Sequence, residues 1–139
     1  MISSLEQLLT ALCRDLNITE VPQMDQEKIY ALSLPPETTL FFREEEDGVT
    51  IRAKLCTVPS LDKEELFMLL MKANLLGQGT GGAVIGLSEE NEELSLSLCL
   101  TYSLNDKIFK MAVEDFVNYL DYWKEEIARF QRRAEERII

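Results

Sequence analysis

The sequence predicts an α+β fold in which three helices pack against a twisted antiparallel sheet of five strands. Three patterns indicate it: leucines at helical spacing near the N-terminus, strict alternation of apolar and polar residues in two central segments, and an apolar stripe along a segment near the C-terminus. The expected order is helix, three strands, helix, two strands, helix. At 139 residues the chain has room for one core, so we expect a single domain over residues 1–139.

A helix and three strands are predicted for the first half of the chain. Ser3 or Ser4 can cap the helix, whose apolar residues recur every three or four positions; they are Leu5, Leu8, Leu9, Leu12 and Leu16. This stripe fits either a core face or a partner-binding surface. Strands are expected at residues 28–34, 40–44 and 49–56. Two prolines stop the first strand, and left-handed conformers at Asp47-Gly48 are expected to join the other two in a tight turn.

The second helix is apolar around almost its whole circumference. It is expected to begin after Asp62 as N-cap, with Glu65 completing a capping box. From Leu66 to Leu76 only Lys72 and Asn74 are polar. Such a helix must be buried on all sides, and a domain of this size has little left to cover it. We therefore predict a homodimer that buries this helix or its neighbourhood.

Two strands and a long helix are predicted for the rest of the chain. Residues 77–82 read GQGTGG and are expected to form a C-cap and a flexible turn. Strands are predicted at 83–87 and 93–101, on either side of an acidic turn. The last helix begins near Asn105 or Asp106, and its apolar stripe extends to Phe130. The segment 124–139 is mostly charged, and we expect this helical extension to project into solvent or onto a partner.

The composition argues against most kinds of catalytic site. No histidine is present, so Ser-His, Cys-His and His-metal arrangements are impossible. Cys13, Cys56 and Cys99 lie far apart, which fits free thiols in a reducing compartment better than structural zinc. The GQGTGG glycines match the spacing of a dinucleotide site, but they follow a helix and precede a strand, the reverse of the order that such a site needs. We expect no catalytic residue, metal or cofactor, and no enzyme.

Charge and hydropathy favour a cytosolic protein. The formal net charge of -11 repels nucleic acid and anionic membranes, and it favours a basic or neutral partner. The N-terminus has no basic lead, and charges interrupt its apolar residues, so no secretory signal peptide is expected. No uncharged run approaches the ~20 apolar residues of a membrane-spanning helix.

The stretch from Leu69 to Leu87 resembles a known family. It reads LLMKANLLGQGTGGAVIGL, so an apolar helix ends in ANLLGQGTGG and leads to a strand that ends in Gly-Leu. With the acidic turn and apolar strand that follow, it is similar to the class I type III secretion chaperones, the family of the Tir chaperone. Residues 66–100 carry the specific likeness, and the flanks match in the order of their elements.

The resemblance implies partners and contact residues. Members of that family are dimers in the bacterial cytosol. Each holds a non-globular segment near the N-terminus of a secreted effector, which fills apolar grooves and adds strands to sheet edges until a separate secretion ATPase removes it. The implied effector contacts are Leu5, Leu8, Leu9, Leu12, Phe41, Phe42 and Ile51, on the first helix and on exposed faces of the early strands. The implied dimer contacts are Leu66, Leu70, Leu75, Ala83, Val84 and Ile85.

Two other functional classes are compatible with the same pattern. One is a dimeric adaptor or regulator on this scaffold that binds a folded partner. The other is a small enzyme of the hotdog type, which without histidine would depend on Asp or Glu. The hotdog fold usually surrounds its helix with more strands and has no reason to end in a long aromatic-rich helix. The sequence does not determine which effectors are bound, or whether the dimer is homomeric or formed with a related chaperone.

Overall fold

The structure is a computed structural model that describes residues 4–101 and 103–138. Its elements are α1 (Leu5–Asp15), β1 (Ile29–Leu34), β2 (Thr38–Glu45), β3 (Gly48–Thr57), α2 (Lys63–Asn74), a 3-10 turn (Leu75–Gly77), β4 (Val84–Leu87), β5 (Glu93–Thr101) and α3 (Asp106–Glu136). The strands form one antiparallel sheet in the order β1-β2-β3-β5-β4, so β1 and β4 are its edges. The predicted fold class and order of elements are confirmed.

The chain divides into two compact units. The first is formed by the described part of Met1–Ala53 with Leu98–Asp115, and the second by Lys54–Ser97 with the described part of Phe116–Ile139. Strands β3 and β5 and helix α3 each contribute residues to both units.

The first unit is built around α1 and strands β1 to β3. Ser4, one of the two predicted caps, caps α1: its hydroxyl accepts from the Gln7 backbone N–H at 3.3 Å, and the Gln7 side chain accepts from the Ser4 N–H at 3.1 Å. The helix buries its leucine stripe together with Cys13. The rings of Phe42 and Phe109 pack with centroids 5.8 Å apart, so the start of α3 closes the same core.

Gly48 has a different role from the predicted one. Neither Asp47 nor Gly48 adopts a positive φ, and Gly48 pairs with Glu45 across the hairpin. A Cβ at position 48 would lie 1.8 Å from the Leu100 carbonyl oxygen. Glycine is therefore required because the backbone of β5 approaches closely, and not because the turn needs a left-handed residue.

In the second unit, two helix ends differ from the predictions. Asp62 has a left-handed backbone (φ 53°) and makes no capping hydrogen bond, so the predicted capping box is wrong. Both Asp62 and Glu65 instead contact Arg137, each with a nitrogen–oxygen distance of 3.3 Å. The charged end of α3 does not simply project into solvent, since Ile127 and Ala134 are buried as well.

The glycine-rich loop of the second unit packs tightly against α3. The indole N–H of Trp123 donates to the Gly79 carbonyl at 2.8 Å. A Cβ at Gly81, where φ is +66°, would lie 2.3 Å from the ring of Tyr119. Thr80 is buried, and its hydroxyl donates to the Ala83 carbonyl. The expected flexible turn is therefore held by ring contacts and hydrogen bonds.

Candidate partner-binding surfaces

A groove lies beside the outer edge of β1, in the first unit. It has a volume of 590 Å³ and is called the β1 groove here; its lining residues are Asn17, Ile18, Thr19, Glu20, Val21, Pro22, Gln23, Ala31, Leu32, Ser33 and Pro35. It forms because the chain reverses directly after α1: Asn17 has a positive φ of 57°, and the Ile18 N–H donates to the Cys13 carbonyl at 2.8 Å. Residues 17–23 and residues of β1 line the groove together.

The outer edge of β1 is closed at its start and open further along. Asp25 covers Ile29, since its N–H donates to the Ile29 carbonyl at 3.0 Å and its side chain accepts from the Ile29 N–H at 2.9 Å. Backbone groups of alternate residues point to the same side of a strand, so those of Ser33 also point outward. Among the described residues none forms a hydrogen bond to these outward groups of Ser33. The open part of the edge therefore lies in the β1 groove.

Most of the side chains predicted to contact an effector lie in the core. Leu5, Leu8, Leu9 and Leu12 are buried because the helical stripe faces the sheet. Phe42 and Ile51 are likewise buried, so placing them on an exposed strand face was wrong; they are paired neighbours on the inner face. Phe41 is 39% exposed, because alternation along β2 turns it to the outer face. There it pairs with Ala31, which lines the β1 groove.

An exposed apolar surface covers α2, the 3-10 turn and β4 in the second unit. We call it the α2–β4 surface; it consists of Met68, Met71, Leu75, Leu76, Val84 and Leu87. Leu76 is the most exposed of these, at 87%. A cleft of 220 Å³ adjoins the surface, lined by Phe67, Leu70, Met71, Asn74, Ile85, Gly86, Leu87 and Leu94. Several large exposed apolar side chains on neighbouring elements, beside an apolar cleft, are typical of an interaction site.

The residues predicted for a dimer contact fall into two groups. Leu75 and Val84 are 62% and 56% exposed and belong to the α2–β4 surface. Leu66, Leu70, Ala83 and Ile85 are buried within the chain, because one side of α2 packs against β4. The sequence pattern does not distinguish the two exposed residues from the four buried ones.

Burial shifts the pKa of two cysteines and one tyrosine. Burial raises the pKa of Cys13; it also raises the pKa of Cys56, where nearby Lys54 partly offsets the effect. Burial, followed by the carboxylates of Glu6 and Glu44, raises the pKa of Tyr30. Within residues 4–101 and 103–138 there is no group of three or more Cys, Asp or Glu side chains that could hold a metal ion.

No helix in the described part of the chain combines the length and apolar character that crossing a membrane requires.

The β1 groove is not predicted by the sequence pattern. Residues 17–23 have neither helical nor strand periodicity, and the pattern alone does not say where an irregular segment lies. The available signal was indirect. Asp25 precedes a strand and can accept hydrogen bonds from backbone N–H groups two and four residues later, as it does from Glu27 and Ile29.

The fold is shared with solved structures of secretion chaperone complexes. A chain of the ExsC–ExsE complex superimposes with a TM-score of 0.72 at 14% identity, covering 86% of this chain and 90% of that chain. A chain of the HopA1–SchA chaperone–effector complex superimposes with a TM-score of 0.67 at 14% identity, covering 85% and 91%. At these identities the likeness concerns the fold alone.

Sequence comparison identifies the family directly. A Chlamydia pneumoniae protein, CPj0713/CpB0740, is 26% identical over 121 residues, which are 86% of this chain and 92% of that protein. The model of the Tir chaperone protein (CesT) family matches residues 7–124, including most of α1, the ANLLGQGTGG phrase and the first part of α3. The resemblance stated from residues 66–100 is confirmed, and the chain belongs to the Tir chaperone protein (CesT) family.

Proposed function

We propose that this chain is a cytosolic chaperone that holds a non-globular N-terminal segment of a type III secretion effector, with part of that segment added as a strand to the edge of β1. Family membership supports the chaperone role. The single observation that carries the binding mode is the open edge at Ser33 within the β1 groove. An added strand would satisfy these backbone groups, and the groove would receive its alternate side chains.

The chemistry of the groove suggests what the bound segment is like. Ile18, Val21 and Leu32 contribute apolar lining, while Glu20 and the net charge of -11 disfavour an acidic ligand. The segment should be extended, neutral or basic, and apolar at every second residue. Phe41, on the outer face beside Ala31, extends the contact beyond the strand edge.

The working form is a homodimer that buries the α2–β4 surface of both copies. Its support is the exposure of six large apolar side chains on α2, the 3-10 turn and β4, which is costly to leave in water. The secretion ATPase is a further candidate partner, since the family's effectors are stripped off before export. The chaperone itself carries out no catalysis in this proposal.

The first test is a pull-down with tagged protein from the native bacterium, with the complex sized by light scattering on a column. We expect a dimer that carries one larger protein, bound through an unfolded N-terminal region. A dimer bound to a folded partner would support the adaptor function. A monomer without a partner would contradict both the dimer and the chaperone role.

The second test concerns the strand edge. Ser33→Pro removes the outward N–H, and proline is tolerated on edge strands. We expect it to weaken effector binding at least tenfold, about 1.4 kcal/mol, while the dimer stays intact. Ser33→Ala is the matched control, because it changes only the side chain and should bind normally. Normal binding by Ser33→Pro would rule out strand addition at β1.

A further inference from the structure

The opposite edge of the sheet, β4, is closed by side chains. Asn74, the last residue of α2, forms two hydrogen bonds with the backbone of Ile85. Its amide nitrogen donates to the Ile85 carbonyl at 2.8 Å, and its amide oxygen accepts from the Ile85 N–H at 2.8 Å. These are the two bonds that one residue of an added strand would make. The Asn74 side chain thus occupies the place of a sixth strand.

Thr80 closes the outward backbone groups of Ala83, the residue two positions before Ile85. The Ala83 carbonyl accepts from the Thr80 hydroxyl, and the Ala83 N–H donates to the Thr80 carbonyl at 3.2 Å. Ala83, Ile85 and Leu87 share one side of the strand, because Val84 and Gly86 alternate with them toward β5. Only Leu87 has no hydrogen bond to its outward groups within the described residues. Two of the three outward residues of this edge are therefore closed, including the one in the middle of the strand.

We infer that Asn74 is a specificity-determining residue, which directs strand addition to β1 by closing the edge of β4. An unpaired edge next to an exposed apolar surface is an aggregation hazard, and the α2–β4 surface lies beside β4. The closure also explains why one of only two polar residues in an otherwise apolar stretch stands at position 74. The selection between edges rests on the proposed function, whereas the closure of β4 does not.

Amide hydrogen exchange tests the closure in the full-length protein. The Ile85 amide should be protected in the wild type, and Asn74→Ala should speed its exchange at least about tenfold. Asn74→Asp keeps an acceptor for the Ile85 N–H and should retain most of the protection. Asn118→Ala, at an exposed asparagine of α3, is the control and should change nothing. An unprotected Ile85 amide in the wild type, or equal protection in Asn74→Ala, would overturn the inference.

A labelled peptide tests the selection between edges. The probe is a synthetic copy of residues 93–101, the natural neighbour of β4, with Gln in place of Glu93 and a nitroxide on its cysteine. In Asn74→Ala we expect it to broaden the amide signals of Ile85 and Leu87, which it leaves sharp in the wild type. Sharp β4 signals in the variant would refute the role of Asn74.

The two proposals fail in different ways in the same experiment. Broadening near Ser33 in the wild type reports strand addition at β1, and its absence would count against the proposed function only. The amide signals of Ile85 and Leu87 in Asn74→Ala report separately on the closure of β4. If Asn74→Ala does not fold, the protection of Ile85 in the wild type and in Asn74→Asp still decides whether β4 is closed.

Discussion

Single residues in this protein are constrained by contact with neighbouring atoms more than by their own conformational preferences. Gly81 and Gly82 both have positive φ values, of 66° and 89°. Only Gly81 is also confined by a neighbour, the ring of Tyr119, whereas a Cβ at Gly82 would meet nothing within 4 Å. Alanine substitutions at these two glycines therefore distinguish the cost of a left-handed backbone from the cost of steric overlap with Tyr119.

Gly81→Ala should lower the free energy of unfolding by roughly 2–4 kcal/mol, since it combines a left-handed alanine with overlap against Tyr119. Gly82→Ala should cost only about 1–2 kcal/mol, because the left-handed conformation is its only penalty. Urea denaturation followed by circular dichroism measures both values. Equal losses in the two variants would show that the ring contact does not matter.

The three thiols should differ in reactivity. Cys99 is exposed, Cys56 is half-buried and Cys13 is fully buried, and burial raises the pKa of the latter two. Because the thiolate is the reactive form, iodoacetamide at neutral pH should modify Cys99 first and Cys13 last. Mass spectrometry of timed samples gives the order, and early modification of Cys13 would contradict its burial.

The same shifts predict weaker folding at alkaline pH. Both thiols have a higher pKa in the folded state than in the unfolded chain, so above the ordinary thiol pKa of about 8.5 the folded state retains protons that the unfolded state loses. Stability should therefore be complete below that pH and decline as the pH rises through the folded-state values. Replacing both Cys13 and Cys56 with Ala should flatten this decline in urea titrations at pH 7 to 10.

At the scale of elements, the end of α3 is held to its own unit by apolar burial and by ion pairs. Ile127 is 1% exposed, whereas Arg137 and its partners Asp62 and Glu65 are largely in solvent. Exposed ion pairs contribute little, because water screens the charges and ordering the side chains costs entropy. The apolar contact should dominate.

Ile127→Ala should lower the free energy of unfolding by about 2–4 kcal/mol, and Arg137→Ala by less than about 1 kcal/mol. Urea denaturation of the two variants against the wild type measures the difference. A larger loss for Arg137→Ala would mean that the charged contact, and not the apolar one, anchors this end of the helix.

At the scale of the whole molecule, the central question is what covers the α2–β4 surface. Leu70 and Leu76 lie six residues apart, yet Leu70 belongs to the core and Leu76 to the surface. We therefore expect a charged side chain to have different effects at these two positions. Leu76 tests association, while Leu70 tests folding.

Leu76→Glu should give a folded monomer, because a buried charge at the interface has no partner. Leu70→Glu should unfold or aggregate, since it places a carboxylate in the core. Met111→Glu, at an exposed apolar residue of α3 outside the α2–β4 surface, should leave the oligomeric state unchanged. Light scattering with circular dichroism distinguishes these results, and a stable dimer of Leu76→Glu would place the interface elsewhere.

Much of the fold could be predicted because local patterns are strong in this chain. The alternation of leucine with serine and cysteine sets the bounds of β5 at Glu93–Thr101, as predicted. The first helix was predicted to begin with Ser3 or Ser4 as its cap, and Ser4 is the cap, whereas the capping box predicted at Asp62 is wrong. A capping residue has several possible partners; at Asp62 the backbone is left-handed, and the carboxylate contacts the distant Arg137 and no local N–H.

The sequence by itself determined the α+β class, the order of the elements and the family, because these depend on periodicity and on one specific phrase. Tertiary structure alone decided which apolar residues remain exposed. The stripe of α1 and Phe42 are buried, whereas Phe41 and Leu76 are not, although all are equally apolar. The physical reason is that burial depends on what the rest of the chain places opposite a side chain. The same holds for Asn74, whose amide is simply a polar group in the sequence and becomes an edge strand's partner only when α2 meets β4.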